Sequence, residues 1–192
     1  YPGTYLDIAM AFDRLRDEAP RLGFDLSRSV AIGHSAGGHL ALWAAARAGL
    51  PSGRPLRVQD PFLPKAVISI AGIGDLRAFA PYIPLICGPG IAGKLQSSGN
   101  PPDIDPFDDV SPAALAPSRG PVVLISAVLD RLVPPYVAYG FEQTMRCKGK
   151  DDIELVHVQD AGHFDPVTSG TPAWRELLRR VEQLLLGSSV SE

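Results

Sequence analysis

Apolar positions along the chain recur with two periods. Tyr5, Ile8, Ala9, Phe12 and Leu15 fall at helical spacing, and Thr4 with Asp7 has the T-x-x-D form of a capping box. A helix is therefore predicted over 5–19, with Thr4 as its cap and Pro20 as its stop. Short runs that are apolar along their whole length stand at 29–33, 65–70, 122–126 and 153–158, and each reads as a buried strand. Between them, the alanine- and leucine-rich stretch from Ala36 to Ala48 reads as a buried helix. Pro134 and Pro135 suit the start of a helix over about 135–147. Thr171-Pro172 caps a last helix with Trp174, Leu177, Leu178, Val181, Leu184 and Leu185 on one face. Strands thus alternate with helices. The fold class expected is α/β, a mostly parallel sheet of about four strands flanked by helices on both faces.

The stretch 80–120 breaks this rhythm, because Pro81, Pro84, Pro89, Pro101, Pro102, Pro106, Pro112 and Pro117 fall in it. Little regular structure is expected there. The segment 80–110 is read as an irregular lid or pocket wall within a single domain spanning 1–192, and Ile83, Leu85, Ile86 and Phe107 are its candidate pocket residues. At 192 residues, 45% of them hydrophobic, the chain is long enough for one core. A formal charge of −3 gives no footprint for a nucleic-acid partner. No apolar run approaches the roughly 18 residues that span a bilayer, and the first 25 lack the pattern of a secretory signal. A cytoplasmic protein without a membrane partner is expected. The two cysteines, Cys87 and Cys147, read as buried free thiols, although a single bridge between them is not forbidden. No spacing suggests a metal site and no glycine pattern a phosphate or dinucleotide cradle, so no cofactor is expected.

Gly33-His34-Ser35-Ala36-Gly37 has the form G-x-S-x-G between a predicted strand and a predicted helix. A serine on so tight a turn needs residues without side chains around it, which Gly33 and Gly37 would supply. The turn presents Ser35 above the carboxyl ends of the strands. The helix beginning at Ala36 aims its free N–H groups at any oxyanion formed there. A serine nucleophile needs a base, and the chain has four histidines. His34 lies within the elbow and is expected to point away from the Ser35 hydroxyl. His39 reads as structural or as pocket floor, and His157, mid-strand, as a satisfied core imidazole. His163 follows the fourth strand, where sites of open α/β sheets collect, and is the candidate base. Asp130, just after the third strand, is the candidate acid, with Asp75 as runner-up. The order Ser35, Asp130, His163 is the Ser…Asp…His order of one hydrolase architecture.

The segments Gly33 to Ala41, Ser111-Pro-Ala-Ala-Leu115, Asp130 with Val133-Pro134, and Ala161-Gly-His-Phe164 together resemble the α/β-hydrolase superfamily. The likeness is to its esterase branch, which includes acyl esterases and kynurenine formamidase-like enzymes. The resemblance implies Ser35 as nucleophile, Asp130 as acid, His163 as base and the Ala36 N–H as half of an oxyanion hole. It also implies a small-molecule ester as substrate, or an amide, formamide or peptide cleaved by the same triad. The superfamily's sheet has about eight strands and draws its second oxyanion donor from an early loop, often H-G-G, and this sequence shows neither. The expectation is that Tyr1 is an internal residue of a longer protein. The strand at 29–33 would then have a bare edge, covered by a missing N-terminal segment or a second copy of the chain. A catalytically degenerate hydrolase serving as a binding or assembly module is the non-enzymatic alternative.

Overall fold

In the computed structural model, residues 1–96 and 104–186 are described. The sheet has four parallel strands, β1 (Val30–His34), β2 (Ala66–Ile70), β3 (Val122–Ala127) and β4 (Ile153–Val158), ordered as in the sequence. β2 and β3 are buried at every position, as their unbroken apolar runs require. Alternate residues of the inner strands serve opposite faces. Val67, Val122 and Leu124 pack with Ala41, Leu42 and Ala45 from α2 (Ala36–Ala46). Phe141 and Met145 from the Pro135–Cys147 helix close that face. The opposite set, Ile68, Ile70, Val123 and Ile125, packs on Ala173 and Leu177 of the C-terminal helix Pro172–Leu186. β1 is an edge strand, and its Ile32 is 47% exposed on the face covered by that last helix.

The first helix, α1 (Gly3–Leu22), corrects the predicted cap and stop. Pro2 stands at its N-cap without a side-chain hydrogen bond, and Thr4 lies inside it. Pro20 also lies inside. The helix ends instead at Gly23, whose left-handed conformation (φ 70°) lets its N–H reach the Ala19 carbonyl. α1 is held against α2 by the buried Arg47, which pairs with Asp13 and donates to the Phe62 carbonyl. Its Tyr5 meets Trp43 edge-on at 5.0 Å between ring centroids.

The proline-rich stretch is more regular than expected. α3 (Leu76–Phe79), a 3₁₀ turn at Ala80–Tyr82, α4 (Ile83–Cys87) and α5 (Ile91–Leu95) follow one another. Pro81 and Pro84 fall in first turns, where a missing N–H removes no helical hydrogen bond. Pro101 and Pro102 lie outside the described residues. In chain order the two remaining long helices are α6 (Pro135–Cys147) and α7 (Pro172–Leu186). Two further expectations are corrected. Both cysteines are free but exposed, Cys87 on the short surface helix α4 and Cys147 at the end of α6. His157 is exposed on β4, an edge strand with a neighbouring strand on one side only.

Candidate active site

The carboxyl ends of β1, β3 and β4 carry the three candidate residues. Ser35 follows β1 with φ 55° and ψ −119°, a conformation that costs a non-glycine residue on the order of 1–3 kcal/mol. It persists because the turn is fixed on both sides: the Ser35 N–H donates to Ile70 O at 2.8 Å and the His39 N–H to Ser35 O at 3.1 Å. A Cβ at Gly33 would stand 2.0 Å from the Gly37 carbonyl oxygen, so glycine is obligatory there. At Gly37 a Cβ would meet nothing within 4 Å, which corrects the clearance role expected of it. Gly38 takes that role, since its Cβ would lie 2.9 Å from the Gly72 Cα and 2.9 Å from Ser69 Oγ. Close packing of α2 on the loop after β2 aims the first turn of α2 at the site. The Ala36 N–H, at the first helical position, has no partner within the helix.

Asp130 and His163 are brought together. Asp130 Oδ2 lies 2.7 Å from His163 Nδ1. Its other oxygen accepts the Leu132 and Val133 N–H groups at 2.8 and 2.9 Å. The carboxylate is thus fully engaged and locked by the turn that leads into α6. Because a carboxylate accepts, His163 Nδ1 carries the proton in this hydrogen bond. Asp75, the runner-up, is engaged elsewhere: its carboxylate caps α3 through Ala78 N–H and meets Ser111 Oγ at 3.4 Å.

His163, Ser35 and Ala36 share a cavity of about 220 Å³. Its walls are Tyr5, Leu40, Ile73, Leu76, Phe79 and Ile83, completed by Ile86, Ile91, Leu95, Leu132 and Val133. Of the candidate pocket residues, Ile83 and Ile86 line it. Leu85 is 83% exposed and Phe107 packs into the core, so neither lines the cavity. Sequence reasoning missed Tyr5 and Leu132–Val133, since a helix far upstream and an acid-bearing turn give no local sign of a shared wall. Tyr5 has a further task. Its O–H donates to His39 Nε2 at 3.2 Å, while His39 Nδ1–H donates to Ile73 O at 2.7 Å. Burial pushes the His39 pKa down to about 4, so the ring is neutral and its polar atoms are both spent. His34 turns to the His163 carbonyl, with 2.9 Å between Nε2 and O. Burial lowers its pKa as well. Among the described residues no group of three His, Cys, Asp or Glu side chains is placed to hold a metal ion, and no helix is long and apolar enough to cross a membrane.

Comparison with known proteins bears on this arrangement at two levels. No curated protein matches the sequence. Among solved structures, esterase 2 of Thermogutta terrifontis phosphoramylated by tabun matches with a TM-score of 0.69 at 22% identity, over 95% of this chain and 63% of that one. The form phosphonylated by sarin gives 0.68 at 22% identity, over 95% and 65%. The propionate-bound form gives 0.66 at 22%, over 95% and 64%. The chain thus spans a little under two thirds of the length of these structures, and the shared fold is α/β-hydrolase-like. Residues 1–144 match the BD-FAE family, so the chain, with its elbow and Asp130 inside that span, belongs to that family.

Proposed function

We propose that the protein is a serine hydrolase acting on carboxylic esters of small apolar acids. The observation that carries this reading is the Asp130–His163 hydrogen bond, which engages His163 through Nδ1 in a ring that lines the same cavity as Ser35. Ser35 Oγ attacks the acyl carbonyl as His163 Nε2 takes its proton, and Asp130 stabilises the imidazolium that results. The Ala36 N–H and the positive end of α2 stabilise the oxyanion. Collapse of the tetrahedral species expels the alcohol, protonated by His163. Water, deprotonated by the same nitrogen, then cleaves the acyl-enzyme to release the acid. Among the described residues no Asp, Glu, Lys or Arg side chain lines the cavity, and its volume lies between the ~150 Å³ that holds one benzene ring and the ~300 Å³ at which drug-sized pockets begin. One short alkyl or single-ring acyl group suits it.

The test is labelling with a fluorophosphonate, with peptide mapping, beside hydrolysis of aryl esters. The expected result is one adduct on Ser35, none in Ser35→Ala, and kcat/KM for the butyrate ester at least tenfold above that for a monosuccinate ester, whose carboxylate would be buried unpaired. Faster turnover of an N-formyl-aryl substrate than of any ester would overturn the ester assignment while keeping the triad. An unlabelled, folded chain would overturn both.

A further inference from the structure

The reaction just described leaves one residue of the elbow without a task. His34 ends β1, while the loop that carries His163 follows β4 at the opposite edge of the sheet. Three strand spacings of roughly 4.8 Å lie between those edges, and ladder hydrogen bonds join only neighbouring strands. The sheet alone therefore does not fix His163 relative to Ser35. The base loop is secured on its own side: the Leu129 N–H donates to Ala161 O at 2.9 Å, Gly162 N–H to Asp165 Oδ2 at 2.6 Å, and Thr171 Oγ to Asp165 O at 2.6 Å. Across to the elbow, the described residues provide a single hydrogen bond, from His34 Nε2 to the His163 carbonyl at 2.9 Å. A carbonyl only accepts, so His34 Nε2 carries the proton. The two imidazoles lie 4.5 Å apart, tilted by 53°, and Phe164 closes the cluster, 5.5 Å from His34 and edge-on to His163 at 4.9 Å.

We propose that His34 is a positioning residue, tying the nucleophile turn to the base loop through the His163 backbone and so setting where His163 Nε2 stands over Ser35. The proposal rests on the triad reading above. Displacement of a catalytic group by about 1 Å can cost on the order of 100-fold in rate, and this hydrogen bond spans the gap in which such a displacement would occur. It acts on the geometry of proton transfer and not on the acyl pocket, which His34 does not line.

Three variants test it. His34→Phe keeps an aromatic ring but removes the donor, His34→Met removes the donor with less steric demand, and His34→Gln restores an N–H near the same place. The readouts are the rate of fluorophosphonate labelling and the separate kcat and KM for an aryl butyrate, in variants whose circular dichroism matches the parent. The expected result is a 10- to 100-fold fall in kcat and labelling rate in the Phe and Met variants, KM unchanged within about threefold, and recovery of most of the loss in His34→Gln. Wild-type rates in either donorless variant, or a Gln variant as slow as they are, would overturn the proposal. Equal labelling of Ser35→Ala and the parent would instead sink the triad reading, so the two failures are told apart.

Discussion

Two histidines wall the same cavity and differ in what their nitrogens meet. Both His39 and His163 are buried, and both donate from Nδ1. His163 donates to a carboxylate that can balance a positive ring, and among the described residues its Nε2 makes no hydrogen bond. His39 donates to a neutral carbonyl, and its Nε2 is occupied by the Tyr5 hydroxyl. Burial in a site without a counter-charge keeps His39 neutral down to about pH 4. A buried imidazole beside a serine is therefore not by that fact a base. The partner on the far nitrogen decides.

The largest expected effect removes what distinguishes the pair. Asp130→Asn turns an acceptor that fixes the Nδ1–H tautomer into a group that can fix the other one, and kcat should fall by on the order of 10⁴ with KM little changed, measured on an aryl ester. A loss below tenfold would mean that His163 needs no carboxylate and the contrast with His39 has no catalytic content. A smaller effect separates His39 from catalysis. Its native pKa lies below the unfolded value of about 6.5, so the unfolded chain binds a proton that the folded chain does not, and stability falls as pH drops from about 6.5 toward 4. Between pH 6.5 and 5 this is worth about 2 kcal/mol. In His39→Gln that part of the pH dependence should vanish, read as a flatter difference between urea midpoints at the two pH values. Its labelling rate at pH 7 should stay within a fewfold of the parent. An unchanged pH dependence would show that His39 is not the group that titrates.

The sequence pattern located the four strands to within a residue or two because each is an apolar run closed by a turn, and topology then followed from alternation. The elbow was legible for the same reason, as a local motif whose strain demands glycine. Asp130 and Asp75 both follow strands, but only Asp130 meets His163, while Asp75 caps α3. What local pattern could not carry were contacts made at a distance. Gly38 and not Gly37 needs to be small because α2 packs on a loop more than 30 residues away. Pro20 fits within α1 because Gly23, and not the proline, provides the terminating geometry. His157 was misplaced in the core because an apolar run does not reveal that β4 is an edge, and the regular turns of 76–95 were hidden by prolines that happen to sit at helix starts.

Cys87 gives this architecture an optical readout. Its thiol is free and exposed, yet the residue belongs to the wall of the cavity that holds Ser35, whereas Cys147 lies at the end of α6 and does not line it. A fluorescent maleimide thus has two addresses on one molecule, one beside the cavity and one remote, and the expected result of filling the cavity is a change in their relative labelling rates. Ligands can be screened by that ratio without turnover, in the parent and in a Ser35→Ala chain alike.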